Sequence, residues 1–178
     1  LTRAQPSPRC WNCRPARAVQ AVLAPPAHAV SAVLTLSKKI YYAIEAVLYI
    51  AYNAKAEPVA GNIVAEAQSL PTRYLEPMMQ KLVRAGILRG VRGPQGGYVL
   101  GRERRNITLA DICDVIAKDT EMPKTSTKLG KTVLLPTTRG LMNDWHNGLA
   151  EISIAQLCEH AEKANVASAA PITHDFTI

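Results

Sequence analysis

The sequence predicts a mainly α-helical protein with a small β-hairpin wing, and three observations support this fold class. The 178 residues include only one Phe and two Trp, so Ala, Leu, Ile and Val must form the core, which favours helices over a β-sandwich. Apolar residues recur from residue 75 to 83 at the helical spacing i, i+3, i+4, i+7. A glycine-rich stretch at 92–97 then separates two short apolar runs, as in a β-hairpin. This order indicates a winged helix-turn-helix domain, and a further long helical pattern follows it.

The net charge of +7 is unevenly distributed along the chain. Residues 38–105 carry eleven Lys or Arg against five Asp or Glu, whereas residues 106–178 carry six against nine. A strongly basic middle segment suits contact with phosphates, although uneven surface charge alone would fit many proteins. No apolar run approaches the roughly 18 residues needed to span a bilayer. We therefore expect a cytoplasmic protein without membrane contact.

Residues 1–33 are predicted to be a disordered N-terminal extension. They are rich in Ala, Pro and Arg, contain no Asp or Glu, and Pro25-Pro26 interrupts their one helix-like run. One hypothesis is an upstream extension with the natural start near Val33, and an organelle transit peptide is the other. Cys10 and Cys13 form a lone CxxC pair without a second pair at zinc-finger spacing, so we expect no metal site there.

The first helix is expected to begin after Ser37, a good N-cap, and to run to about residue 53. Lys38 and Lys39 lie at its exposed start, where unpaired backbone N–H groups also favour a phosphate. Two solvated lysines without a ligand are the alternative. A short second helix within residues 59–68 and a brief turn lead to a third helix. Two helices joined by a short turn, with a basic outer face, are typical of a helix-turn-helix.

The third helix, from about residue 72 to 84, has an apolar stripe and a basic opposite face. Pro77 removes a backbone hydrogen bond and costs about 3 kcal/mol in a regular helix interior. We therefore expect the helix to begin near Thr72 or Arg73, which leaves Pro77 close to the first turn. Ala85-Gly86 is expected to end it. The polar residues predicted on its outer side are Arg73, Gln80, Lys81 and Arg84.

A β-hairpin is expected next, with strands at 87–91 and 98–100 around a tip at 92–97. Gly93, Gly96 and Gly97 can hold a positive φ in this tip, and Arg92 makes it basic. A basic helix followed by a basic hairpin tip predicts a segment that reads DNA. The glycines precede a strand instead of a helix, so they do not suit a nucleotide phosphate. No other catalytic motif is present, and we expect no enzyme.

Residues 34–118 resemble the IscR/NsrR-type family of bacterial winged-helix regulators. The resemblance rests on motifs in the matching order over about half of the chain. These motifs are Leu36-Ser37-Lys38-Lys39 with Tyr42-Ala43, Arg73-Tyr74-Leu75-Glu76-Pro77, Leu82 with Ala85-Gly86-Ile87-Leu88, Val91-Arg92-Gly93-Pro94-Gln95-Gly96-Gly97-Tyr98, and Ile107-Thr108-Leu109-Ala110-Asp111-Ile112. A helix with the string Arg-Tyr-Leu-Glu-Pro resembles one branch of the family, which accounts for a proline at this position.

The resemblance implies a homodimer that binds a palindromic operator in double-stranded DNA, usually to repress transcription. The residues that would face the major groove are Arg73, Tyr74, Gln80 and Lys81. Arg92 and Gln95 at the wing tip would reach the minor groove or phosphates. Lys38 and Lys39 would touch the DNA backbone, and Gly93, Gly96 and Gly97 would shape the wing. For Tyr74, packing against its own helix is the alternative to DNA contact.

Residues 119–135 are expected to be a connecting loop after a helix that Thr108 and Asp111 cap and that ends at Ala117. In the cluster-binding members of the resembled family this loop carries three cysteines, because iron–sulfur clusters need thiolate ligands. Here it carries none, and Cys113 is expected to be buried, so we predict no cofactor and no metal. The alternatives are a cluster- or metal-binding redox sensor of the same family, and a protein-interaction module that uses the winged fold.

Residues 136–163 are expected to form a long dimerisation helix and a short C-terminal helix. Leu141, Trp145 and Leu149 recur on one side of the long helix, a strip that suits a seam between two subunits. Packing against its own domain is the alternative. Ser153 and Gln156 are expected to cap the short helix. Residues 164–178 are expected to be a flexible tail.

Overall fold

The computed structural model describes residues 36–54, 57–118 and 124–168. These ranges contain six α-helices and one antiparallel hairpin, which confirms the predicted fold class. The elements are α1 Lys38–Asn53, α2 Gly61–Ala67, α3 Thr72–Arg84, β1 Leu88–Val91, β2 Gly97–Leu100, α4 Leu109–Ala117, α5 Leu135–Ala150 and α6 Ile154–Lys163. The predicted disorder of residues 1–33 lies outside the described residues. No described helix is both long enough and apolar enough to cross a membrane.

Three helices begin at the caps that the sequence predicts. At the start of α1, the hydroxyl of Ser37 accepts a backbone N–H three residues ahead at 3.4 Å. Thr108 and Asp111 form a reciprocal capping box at α4, and Ser153 and Gln156 form another at α6. Each cap satisfies N–H groups that have no partner within the helix and contributes about 1 kcal/mol.

The starts of α4 and α6 are joined to each other by backbone hydrogen bonds. The N–H of Leu109 donates to the carbonyl of Ile152, and the N–H of Ile154 donates to the carbonyl of Ile107, both at 2.9 Å. Ile107 and Ile154 are fully buried on either side of this bridge. The two C-terminal helices are therefore attached to the winged domain by main chain as well as by side chains.

The core is formed mainly by α1, α3 and α4, and it includes one residue that the sequence assigns elsewhere. Leu149 was expected in the dimer seam, but it is only 8% exposed and belongs to the core of its own chain. The backbone bridge brings the corner between α5 and α6 against α4, which encloses Leu149. Leu141, two turns earlier on α5, remains 62% exposed. The seam prediction is therefore wrong for Leu149.

The loop predicted for residues 119–135 is shorter than expected. A helical stretch begins at residue 128. The hydroxyl of Thr127 caps it by accepting a hydrogen bond from the backbone N–H of Gly130 at 3.0 Å. This stretch passes through a π-helical turn, Gly130–Leu134, directly into α5. Gly130 is buried, and a Cβ there would collide with the side chain of Thr125. The lysines and threonines of this segment show no apolar period, so the sequence pattern did not indicate a helix.

The first part of the predicted tail packs against α1. The hydroxyl of Tyr52 donates to the carbonyl of Val166 at 2.7 Å, and the side chains of Ser168 and Asn53 lie at 3.2 Å. Residues 164–168 are thus held by contacts distant in sequence, which local composition does not reveal. The rest of the predicted tail lies outside the described residues.

Candidate nucleic-acid interface

Helix α3 has an apolar face in the core and a polar face towards solvent. Its buried residues are Leu75, Met78, Met79 and Leu82. Arg73, Gln80 and Arg84 are exposed and share one face, because separations of seven and eleven residues return to the same side of a helix. Tyr74 and Lys81 lie at the border of this face, where Tyr74 is 38% exposed and Lys81 is half-buried.

The two ends of α3 show how the helix accommodates Pro77 and how it leads into the hairpin. The helix begins at Thr72, one of the two starts that the sequence predicts, so Pro77 lies in its second turn. Pro77 is exposed, and it cannot donate the helical hydrogen bond that the carbonyl of Arg73 would otherwise accept. At the other end, Gly86 adopts a φ of +71° and closes the helix. Backbone hydrogen bonds of the Schellman type from Gly86 and Ile87 then set the direction in which β1 departs.

The wing is a hairpin in which Leu88 pairs with Leu100 and Val91 pairs with Gly97. Its tip carries Arg92 and Gln95, both exposed.

The three wing glycines are needed for different reasons. Gly93 has a φ of +126°. Gly96 and Gly97 do not have a positive φ, and the expected use of this conformation is wrong for them. A Cβ at Gly96 would collide with the backbone of the turn, and a Cβ at Gly97 would collide with the carbonyl of Val59. Two of the three positions therefore require glycine for close backbone approach.

A single residue between α1 and α2 pairs with the hairpin through an isolated antiparallel bridge. Val59 exchanges two backbone hydrogen bonds with Tyr98, at 3.0 and 2.8 Å. The ring of Tyr98 also covers Gly61, where a Cβ would lie 3.1 Å from the ring. These contacts tie the base of the wing to the start of α2, and so they hold the tip in a defined orientation relative to α3.

The first turn of α1 belongs to the same surface as α3. Lys38 and Lys39 are exposed there. One turn later, Tyr42 packs edge-to-face against Tyr74 of α3, with ring centroids 6.2 Å apart. Gln68, just before α3, donates from its amide to the carbonyl of Tyr42 at 3.2 Å. Tyr74 therefore packs against α1 and keeps part of its ring in solvent.

Two exposed charged residues of these elements were not singled out from the sequence. Arg89 follows the buried Leu88 in β1, and strand alternation alone could have placed it outward. Glu76 lies on the exposed face of α3 between Arg73 and Gln80. A carboxylate in a basic surface repels phosphate, but it can accept a hydrogen bond from the amino group of cytosine.

An exposed apolar surface runs along α5 and the π-helical turn before it, and we call it the α5 face. Leu134, Leu141 and Trp145 share one side of the helix, and Leu141 and Trp145 are 62% and 36% exposed. The other large apolar residues exposed on this segment are Leu129, Val133 and Met142. Two of the three residues predicted in the seam, Leu141 and Trp145, therefore lie on the α5 face. Contiguous apolar surface of this kind marks interaction sites.

The donors in the described ranges do not fit an iron–sulfur cluster. Cys113 and Cys158 are both buried. Burial and the nearby carboxylate of Asp114 raise the pKa of the Cys113 thiol to about 11, and burial also raises that of Cys158. Thiolates are the ligands that clusters need. Among the described residues, no three His, Cys, Asp or Glu side chains gather in a way that could hold a metal ion. Cys10 and Cys13 lie outside the described residues.

This chain is similar to known transcriptional regulators, as its motifs predict. A model of the Rrf2 family, described as iron-dependent transcriptional regulators, matches residues 36–160. The HTH-type transcriptional regulator IscR of Escherichia coli O1:K1 is 29% identical over 147 residues, covering 80% of this chain and 90% of that protein.

Solved structures of similar proteins show the same fold. T. potens IscR is 32% identical, with a TM-score of 0.59 over 75% of this chain and 93% of its own. CymR, the global cysteine regulator of B. subtilis, is 25% identical, with a TM-score of 0.59 over 72% of this chain and 98% of its own. The predicted resemblance to IscR-type regulators is confirmed. Since the family model spans well over half of its length, this chain belongs to the Rrf2 family of DNA-binding transcriptional regulators.

Proposed function

We propose that this regulator is a homodimeric repressor of the bacterial cytoplasm that binds a palindromic operator in double-stranded DNA without an iron–sulfur cluster. The observation that carries the proposal is the placement of exposed cationic and amide side chains on three connected elements. These are Lys38 and Lys39 on α1, Arg73, Gln80 and Arg84 on α3, and Arg92 and Gln95 on the wing tip. Contacts of Tyr42 with α3 and of Val59 with the wing hold these elements together.

The chemistry of α3 suits the reading of bases in a major groove. The groove is about 12 Å wide and admits one α-helix, whose exposed side chains then meet the base edges. Arginine binds guanine and glutamine binds adenine through paired hydrogen bonds, so Arg73 and Gln80 are suitable readers. Lys38, Lys39 and the wing tip would contact phosphates on either side, which fixes the position of α3 without selecting sequence.

The α5 face supports the dimer. Leu141 and Trp145 are exposed on a single chain, and covering apolar surface is favourable by roughly 25 cal/mol per Å². A second copy of the same face would cover it through a two-fold axis. Two winged domains related by this axis would read two inverted half-sites, with centres about one helical turn of DNA apart.

The binding of DNA is tested by its dependence on salt. We expect the protein to bind a labelled fragment of its own promoter region, with log affinity falling against log salt by about 0.9 per phosphate contact. Arg92→Ala should weaken binding and make the slope shallower by about 2, since each dimer loses two phosphate contacts, and Lys81→Ala should also weaken binding. Lys163→Ala, on the exposed side of α6, is the matched control and should change neither quantity. An absence of salt-dependent binding to any genomic fragment would refute the proposal.

The family description as iron-dependent favours a second function, a redox sensor that holds a cluster. The described cysteines do not supply its ligands, so we expect protein purified without oxygen to contain no stoichiometric iron and no visible absorbance band. The double variant Cys113→Ser, Cys158→Ser should then bind DNA as tightly as the unaltered protein. Stoichiometric iron, lost together with DNA binding when cysteines are replaced, would favour the sensor instead.

A further inference from the structure

Tyr41 is the most exposed aromatic side chain of α1, at 60%, and it lies on the helix turn that carries the two lysines. Lys38 precedes it by three residues, so the two side chains are neighbours on one side of the helix. The core does not explain this position, because the packing residues of α1 lie on its opposite side. A tyrosine exposed beside lysines presents an apolar ring and a hydroxyl that can donate a hydrogen bond.

Three tyrosine rings connect this turn to α3. Tyr41 meets Tyr42 edge-to-face with centroids 6.4 Å apart, and Tyr42 meets Tyr74 edge-to-face at 6.2 Å. Such contacts contribute about 0.5–1.5 kcal/mol each beyond the area that they bury. The ring of Tyr42 therefore contacts both of the other rings, one on α1 and one on α3. We call Tyr41, Tyr42 and Tyr74 the tyrosine ladder.

We propose that the ladder is part of the DNA-binding surface, with Tyr41 as a phosphate contact and Tyr42 as the residue that positions both of its neighbours; this inference rests on the proposed function. When α3 lies in the major groove, the ladder extends from the helix towards the bordering sugar-phosphate backbone. The hydroxyl of Tyr41 then donates to a phosphate oxygen beside Lys38. The ring of Tyr42 is half-buried. The backbone carbonyl of Tyr42 accepts a hydrogen bond from the side-chain amide of Gln68 at 3.2 Å, which holds this turn of α1 in place.

A tyrosine contact differs from a lysine contact in its response to salt. Lysine neutralises a phosphate and releases a counterion, so its loss changes the slope of affinity against salt. The neutral hydroxyl of tyrosine forms a hydrogen bond to a charged oxygen without releasing a counterion. Its loss should lower the affinity by the same factor at every salt concentration.

The test compares variants by fluorescence anisotropy on a promoter fragment across salt. We expect Tyr41→Phe to weaken binding about tenfold with an unchanged slope, and Lys38→Ala to weaken it with a shallower slope. Tyr49→Phe, two turns further along α1, is the matched control and should bind DNA with unchanged affinity.

The positioning role of Tyr42 is tested in the same assay. Tyr42→Leu should weaken binding as much as Tyr41→Phe does, whereas Tyr42→Phe, which keeps the ring, should bind with the affinity of the unaltered protein. In the intact protein, DNA should also protect Tyr41 from nitration by tetranitromethane.

Two results would overturn the inference, and they differ from failure of the proposed function. In the first result, the affinity of Tyr41→Phe for DNA is within twofold of that of the unaltered protein, while the affinity of Lys38→Ala is reduced. The protein then binds DNA, but the tyrosine ladder plays no part in the binding. If Tyr41→Phe also changes the salt slope, or if DNA leaves Tyr41 open to nitration, the phosphate contact is refuted. If the unaltered protein binds no DNA, the proposed function and this inference fail together.

Discussion

Replacing both Leu141 and Trp145 with aspartate should convert the protein into a monomer of 19.3 kDa and reduce its affinity for the operator at least hundredfold. Both side chains lie on the α5 face, so four carboxylates in the dimer would be brought into an apolar interface, where unpaired charge is very unfavourable. Without the dimer, each monomer would bind its half-site of the operator independently. Linking two binding modules raises affinity by a factor of about 10² to 10⁴, and this factor would be lost.

Sedimentation velocity and anisotropy on the same samples measure the two effects. Val166→Asp is the matched control, because this residue is also exposed and apolar but lies outside the α5 face. It should remain a dimer with unchanged affinity. Leu149→Asp should instead abolish folding, since it buries a charge in the core of its own chain. The dimer proposal is contradicted if the doubly substituted protein stays dimeric, or if it is a folded monomer that binds with full affinity.

Arg73→Ala should relax the sequence specificity of the regulator. A paired hydrogen bond between arginine and guanine is worth about 1–3 kcal/mol of discrimination. We therefore expect affinity for the operator to fall roughly 10- to 100-fold, while affinity for unrelated DNA of the same length falls less than threefold. The difference is expected because only the operator would present the base that Arg73 is proposed to read, whereas all DNA presents phosphates.

Competition between labelled operator and unlabelled random DNA measures this ratio directly. Lys39→Ala provides the comparison, since a phosphate contact should be lost equally on both DNAs and should make both salt slopes shallower. If Arg73→Ala weakens operator and random DNA by the same factor, Arg73 is a phosphate contact and does not read a base.

Most local structure could be predicted from short stretches of sequence. Ser37, Thr108 and Ser153 begin helices because their hydroxyls satisfy backbone N–H groups within three residues. The apolar spacing of α3 determined its buried side, and Gly86 determined its end. The basic helix and wing tip follow from the same stretches, which is why most of the proposed DNA contacts could be named in advance.

Predictions failed where burial depends on residues far away in the chain. Leu149 has the same spacing as Leu141 and Trp145, and only the bridge between residues 107–109 and 152–154 turns it into the core. The need for glycine at position 97 arises from Val59, which lies nearly forty residues earlier. The ring contact between Tyr42 and Tyr74 likewise depends on the packing of α1 against α3.

The sequence by itself determined most of the helical segments, where most of these begin, and that a basic helix precedes a basic hairpin. Hydrogen bonds and side-chain periodicity act over a few residues, so this information is present in each segment alone. Only the tertiary structure decided which apolar residues of α5 remain exposed, why Gly97 is required, and how the tyrosine ladder joins α1 to α3. Burial and ring contacts depend on how two distant segments pack against each other. The sequence of one segment alone does not specify which other segment it will contact.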